Sequence, residues 1–289
     1  MSEGKAESSC VSAGGAGDPL LACLFGPKRL PARMLQAALD LMFPARCEVC
    51  GVCLAGEPNP VICRACFSRI KRITTACRRC GAPTRAPLAP RETCPECKTH
   101  PPRWCSAVGA AAIYEEPLRS IILSFKFGRN LYLEGLLAEL LTARVRDLHL
   151  AAGCNAIVPV PITRATFRDR GFNQAEMIAR YAGRSLGLPV RASWLEKIRE
   201  TSPQAKLPAS RRRANLAGAF RAPDPRAVRG KRILLVDDVL TTGATLSECA
   251  ATLKAAGAAE LRGAVVARAV ETLWPSQGND GDENGKIQA

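Results

Sequence analysis

The sequence predicts an α/β fold, a parallel sheet flanked by helices, preceded by a cysteine-rich segment of different character. Three observations carry this. From Ala107 onwards, short apolar runs alternate with amphipathic stretches, the pattern of strands joined by helical crossovers. One of those runs, Ile233 to Val236, is apolar throughout rather than alternating, as in a strand buried on both faces. Ahead of Ala107 the chain holds four C-x2-C pairs within about fifty residues. The expected divisions are a disordered Ser/Gly/Ala-rich stretch at 1–32, a short helix with the cysteine segment at 33–105, the α/β domain at 106–272 and a polar tail at 273–289.

The first 30 residues show little periodicity, and no basic start runs directly into an apolar stretch. Neither a signal peptide nor a membrane span is therefore expected, and the protein reads as cytoplasmic. Residues 33–43 form a short amphipathic pattern with Leu35, Leu39 and Met42 on one side, suited to packing on the next unit.

The C-x2-C pairs are Cys47/Cys50, Cys63/Cys66, Cys77/Cys80 and Cys94/Cys97. Two thiolates at this spacing grip one tetrahedral ion, and two such turns complete a four-sulfur shell. Taken in order, with 12 and 13 residues between paired turns, the eight cysteines make two zinc ribbons. Gly51 and Gly81 follow their pairs, where a knuckle turn needs a residue at ease with positive φ. A disulfide framework competes, but needs an oxidising compartment; iron–sulfur ligation is a smaller alternative. Cys53 complicates the first site, because Cys50/Cys53 is also a C-x2-C pair. Cys10, Cys23, Cys105, Cys154 and Cys249 lack a partner at ligand spacing and read as plain thiols.

In the α/β part, Val108 to Tyr114 reads as a strand, Leu118 to Phe127 and Leu131 to Val145 as helices, and Asn155 to Val160 as a strand ending in Val-Pro-Val-Pro161. A loop bearing Arg164, Arg168 and Arg170 follows, suited to anions, before a helix from Ala175 to Leu186. Trp194 to Lys197 is a short strand. It leads into a cationic stretch containing Arg199, Thr201, Gln204, Lys206, Arg211, Arg212, Arg213 and Asn215, which reads as a lid or binding loop.

The Ile233–Val236 strand ends in Asp237 and Asp238, and the turn Thr241-Thr242-Gly243-Ala244-Thr245 enters a helix reaching about Ala256. A tight polar loop at a helix N-terminus presents N–H groups and the positive dipole end to an anion. Adjacent carboxylates suit vicinal hydroxyls or a hydrated cation. Phosphate on the loop and diol on the acids describe a sugar phosphate. Arg262 to Ala269 is the last strand. In a parallel sheet the acids, the 159–174 loop and the 197–215 loop converge at the strands' carboxyl ends.

Net charge of +15, with 25 Lys/Arg against 15 Asp/Glu over residues 106–274, fits polyanionic ligands, whether sugar pyrophosphates or nucleic acid. An aromatic content of 5% argues against an extended base-stacking platform.

The Val236–Thr245 segment resembles the phosphoribosyl pyrophosphate signature of type I phosphoribosyltransferases. Together with Cys47-Glu-Val-Cys50-Gly, Phe125-Lys-Phe-Gly-Arg129, Val158–Pro161, Arg170-Gly-Phe-Asn-Gln174, Thr201-Ser-Pro-Gln204 and Arg212–Phe220, it makes residues 43–270 resemble the ComF family, a double zinc ribbon followed by such a domain. The resemblance implies Asp237 and Asp238 on the ribose hydroxyls and Leu240 to Thr245 around the 5′-phosphate. It also implies Val160 and Pro161 at a magnesium-bridged pyrophosphate, with Arg170 and the 199–215 loop (Arg199, Thr201, Gln204, Arg212, Asn215) neutralising the leaving group. The ribosyl acceptor is not legible. Because ComF-type proteins are associated with natural transformation, a non-catalytic module for single-stranded DNA is the alternative.

Overall fold

The computed structural model describes residues 45–54, 57, 59, 61–89, 92–99, 104–128, 130–201 and 216–270. The 33–43 helix, both terminal segments and most of the cationic 199–215 loop lie outside the described residues.

Four strands build one parallel sheet: β1 (Ala107–Ile113), β2 (Ala156–Pro159), β5 (Arg232–Leu240) and β6 (Glu260–Arg268), in the order β1-β6-β5-β2. The expected strand at 233–236 is longer than its apolar run, since β5 pairs onward through both acids to Leu240. Two short strands, β3 (Glu196–Lys197) and β4 (Phe220–Arg221), pair antiparallel beside the sheet.

Alternation along β5 divides the core. Leu234 and Val236 face α3 (Leu118–Phe127), α4 (Leu133–Asp147) and α6 (Gln174–Leu186) in one apolar cluster. Ile233 and Leu235 face α8 (Ala244–Ala255) in another, which also holds Val228 of the short α7 (Pro225–Val228). The expected helix on both faces is thus realised.

The segment expected as an irregular loop at 164–174 contains a helix, α5 (Arg164–Arg170). Thr163 Oγ1 caps it by accepting from Thr166 N, and Gly171, at φ +87°, closes it. No residue of α5 is buried, so it carries no apolar stripe to betray it.

The ribbon segment is docked on this frame. Two short helices, α1 (Arg64–Ser68) and α2 (Pro95–Thr99), carry its later knuckles. Between the two cysteine clusters, Arg72 bridges Ala112 antiparallel, with Ile73 N to Ala111 O and Ile113 N to Lys71 O both at 2.9 Å. The linker thereby covers the free edge of β1. Ile62 and Phe67 lie in the same cluster as Leu118, Ile121 and Phe125.

Candidate functional site

β5 carries the acids to the carboxyl edge of the sheet, and alternation sends them to opposite faces. Asp238, on the α3 side and 7% exposed, meets Lys126 from the end of α3, with Oδ2 to Nζ 2.7 Å. Burial acts to lower the Lys126 ammonium, but Asp238 more than offsets it and holds its pKa above the ordinary value. Asp237, on the α8 side, accepts the Asp238 N–H through Oδ1 at 2.9 Å. Burial, with Asp238's charge adding to it, pushes the Asp237 carboxyl up to about 7, against the pull of Lys126 and Lys197. Lys197, on β3, donates to Thr201 Oγ1 at 2.9 Å and lies 5.9 Å over the Phe220 ring. Asp238 is thus paired with Lys126, whereas Asp237 feels Lys126 and Lys197 at longer range, and repulsion between the two carboxylates adds to burial in raising its pKa.

Immediately after β5, Thr241, Thr242 and Gly243 turn the chain into α8. Gly243 takes φ +75°, a left-handed conformation that a side chain would strain. Ala244 and Thr245, expected in the loop, are instead the first residues of the helix. Among the described residues no side chain caps this N-terminus, and Thr242 Oγ1 is buried with no hydrogen-bond partner. An uncapped twelve-residue helix beside a buried, unsatisfied hydroxyl offers several donors that an acceptor-rich anion could take up.

Beside the acids, Val160 is hydrogen-bonded into the sheet, its N–H to Val236 O at 2.9 Å, and Pro161 follows at the rim. Asn173 ties this loop to α6: its Nδ2 donates to Val160 O at 3.1 Å while its Oδ1 accepts from Ala175 N at 3.1 Å. Arg170 donates to Gln174 Oε1 at 2.6 Å and stacks 5.3 Å over Phe127. Burial lowers the Arg170 guanidinium, and Asp238 acts against that. Lys126, Phe127, Thr166, Asp169 and Arg170 line a cavity of about 250 Å³.

At the sheet's carboxyl edge the fold thus gathers Asp237, Asp238, the 240–245 segment, Val160, Pro161 and Arg170. Arg199, which donates to Ala217 O at 2.9 Å, and Thr201 continue from β3. Gln204, Arg212 and Asn215 lie outside the described residues. Two lysines here, Lys126 and Lys197, were missed as site residues. Lys126 stands inside the Phe-Lys-Phe-Gly-Arg motif, which was the one available signal.

The cysteines form two clusters, Cys47/Cys50/Cys63/Cys66 and Cys77/Cys80/Cys94/Cys97, with all four sulfurs of each within 4.8 Å of one another. A Zn–S bond of about 2.3 Å in a tetrahedron places sulfurs about 3.8 Å apart, whereas a disulfide needs about 2.05 Å. Cys50–Cys63 and Cys77–Cys97 are at 3.8 Å and Cys80–Cys94 at 3.4 Å, so the shells fit zinc. Gly51 and Gly81 take φ +71° and +73°, as the knuckles require. Cys53 is exposed on a bridge to Arg46, outside the first shell. Burial raises the Cys47 and Cys77 thiols, but surrounding backbone N–H groups outweigh it and bring both down to about 7.

The comparisons with known proteins agree with this geometry. Residues 178–281 match the family model described as phosphoribosyl transferase domain, which spans the acids and the loop, and residues 38–98 match the double zinc ribbon domain. The DNA utilization protein YhgH of Salmonella typhimurium is 32% identical over 225 residues, covering 77% of this chain and 96% of that protein. The chain belongs to the ComF family. Competence protein F of Haemophilus influenzae is 33% identical over 212 residues, 72% of this chain and 90% of its own. A more distant ComF-family relative, competence protein ComFC of Bacillus subtilis, is 25% identical over 206 residues, 66% and 76% of the two chains. Among the described residues of this ComF-family chain, no helix is long and apolar enough to cross a membrane.

Proposed function

We propose that this protein binds phosphoribosyl pyrophosphate and acts on it as a phosphoribosyltransferase. The observation that carries the reading is the succession, within the matched domain, of two carboxylates at a strand tip and an uncapped helix N-terminus with the unsatisfied Thr242 hydroxyl. A ribose laid across the end of β5 reaches Asp237 from one face and Asp238 from the other through its 2′- and 3′-hydroxyls. Its 5′-phosphate takes the N–H groups and hydroxyls of Thr241 to Thr245, with Leu240 behind them.

Pyrophosphate then extends towards Val160, Pro161 and the Lys126/Arg170 cavity, where two cations offset its charge. Asp238 is committed to Lys126, so any magnesium would arrive with the ligand and would supply charge neutralisation for the leaving group. Breaking the C1′–O bond leaves the electron pair on pyrophosphate and a cation-like sugar, so the chain's residues contribute by position and electrostatics. Arg199 and Thr201, together with Gln204, Arg212 and Asn215 outside the described residues, are assigned to neutralising the leaving group.

The thiolate-rich ribbons are at home where thiols stay reduced, which supports a cytoplasmic protein. The names of the relatives, DNA utilization and competence, support a place in the handling of incoming DNA. A second reading, a non-catalytic module for single-stranded DNA, is favoured by one observation: exposed Phe127 stacks with Arg170 of α5, and α5 carries a second exposed ring, Phe167.

Calorimetric titration with phosphoribosyl pyrophosphate and magnesium, beside Asp237→Asn/Asp238→Asn, tests the first reading. Saturable binding lost in the double variant supports it. A folded parent that binds nothing would leave the DNA reading, for which affinity should fall steeply as salt rises.

A further inference from the structure

Arg268 is the last residue of β6 and is 2% exposed, yet its guanidinium faces three acceptors from distant parts of the chain. Nη1 donates to Leu240 O at 3.3 Å and to Thr241 O; Nη2 donates to the Glu96 carboxylate. Leu240 and Thr241 are the last residue of β5 and the first of the anion loop. Glu96 stands on α2, between Cys94 and Cys97 of the second cysteine cluster. One buried cation thus joins a metal knuckle to the loop at the candidate site.

The consequence follows from peptide geometry. In a trans peptide the C=O and the following N–H point in opposite directions. Turning the Leu240 and Thr241 carbonyls towards Arg268 turns the N–H groups of Thr241 and Thr242 the other way, away from the guanidinium. The sheet reinforces this, because Ala269 N also donates to Leu240 O at 2.9 Å. The sheet fixes the Arg268 backbone, but its buried guanidinium needs a counter-charge, and Glu96 supplies it. The α2 turn carrying Glu96 is itself anchored at both ends by metal-ligand cysteines, and Cys97 N donates to Cys94 Sγ at 3.4 Å.

We propose that Arg268 is a positioning residue that presets the anion loop, and that the second zinc knuckle holds Arg268 through Glu96. Integrity of the second ribbon is thereby coupled to sugar-phosphate binding at the sheet edge. The binding half of this proposal rests on the phosphoribosyl pyrophosphate reading; the structural half does not.

The test uses the full-length, two-zinc protein and two variants, Glu96→Gln and Arg268→Lys, read by amide hydrogen exchange and by titration with phosphoribosyl pyrophosphate and magnesium. Glu96→Gln removes the counter-charge from the partly exposed side and keeps all eight cysteines, so it remains informative if Arg268→Lys fails to fold. The expected result is exchange at Ala269, whose N–H donates to the same Leu240 carbonyl that Arg268 holds, at least tenfold faster in Glu96→Gln, with α4 amides and zinc content unchanged, and affinity at least fivefold weaker. Cys97→Ser should produce the same signature at Ala269. Unchanged exchange at Ala269 would overturn the brace, and faster exchange with unaltered affinity would overturn its positioning role. If the parent itself binds no phosphoribosyl pyrophosphate, the functional reading falls while the exchange arm still decides the brace.

Discussion

Lys126 Nζ lies 2.7 Å from Asp238 Oδ2, and this ion pair joins the C-terminal end of α3 to the tip of the central strand β5. The pair is mostly removed from water, with side-chain exposures of 21% and 9%. A carboxylate proposed to accept a ribose hydroxyl is thus already oriented and partnered before any ligand arrives. Beside it Arg170 adds a second cation around the same cavity. In the proposed reading Arg170 faces the leaving pyrophosphate, and the paired acid faces the sugar.

Lys126→Met should expose the cost of that pairing. It leaves Asp238 buried without its partner, a loss that reaches about 3–5 kcal/mol for fully buried pairs and is set here at about 1–3 kcal/mol for the residual exposure. Chemical denaturation followed by circular dichroism measures it. Affinity for phosphoribosyl pyrophosphate should drop at least tenfold, and an unchanged affinity would remove Lys126 from the site.

Asp237 sets a pH dependence. Its pKa rises from an ordinary 3.8 to about 7, so between these values the folded protein holds a proton that the unfolded chain has released. Its contribution to stability is fully present below about pH 4 and is lost as pH climbs through 7. Asp237→Asn should therefore gain on the parent between pH 5 and 8, by about 1–3 kcal/mol in matched urea titrations. Ligand binding should move oppositely. Ionised Asp237 is the better acceptor, so affinity should rise with pH up to about 7, by as much as about tenfold per unit, and this slope should flatten in Asp237→Asn.

The cysteine shells make a countable prediction. Metal analysis of the purified protein should find two zinc ions per chain, with about one left in Cys50→Ser and about one in Cys80→Ser. Cys53→Ser should keep two, since Cys53 stands outside the first shell. A Cys53→Ser protein that lost zinc would mean that the first site draws its ligands differently.

Legibility followed periodicity. Helix α3 has the bounds expected from the sequence, because Leu118, Ile121, Ile122 and Phe125 recur at helical spacing and are all buried. The acids and the threonine loop were legible because local chemistry alone makes them unusual. α5 was not, since a helix without a buried residue leaves no apolar rhythm. The full length of β5 was hidden because two carboxylates interrupt its apolar run, and pairing with β6 rather than composition carries the strand past them. Lys126 and Lys197 were missed for a different reason. Their roles depend on partners brought near only by the folded sheet; Lys126 carries a local mark in the Phe-Lys-Phe-Gly-Arg motif, whereas Lys197, a lone lysine in a basic chain, carries none.

The shared core yields the last prediction. Ile62 and Phe67 from the first ribbon are 0% and 2% exposed and pack in one cluster with Leu118, Ile121 and Phe125 of α3. A ribbon merely tethered to the α/β part would melt by itself. Here the β1 edge is also closed by the 71–73 linker, so opening the ribbon strips both an apolar face and a strand edge from the sheet. Phe67→Ala should then lower the stability of the whole chain by about 3–5 kcal/mol, the cost of a large cavity in a packed core. It should do so in one transition, recorded together by ribbon-zinc release and by far-ultraviolet circular dichroism. Zinc release well ahead of the loss of helix signal would show that the ribbon and the α/β part unfold separately.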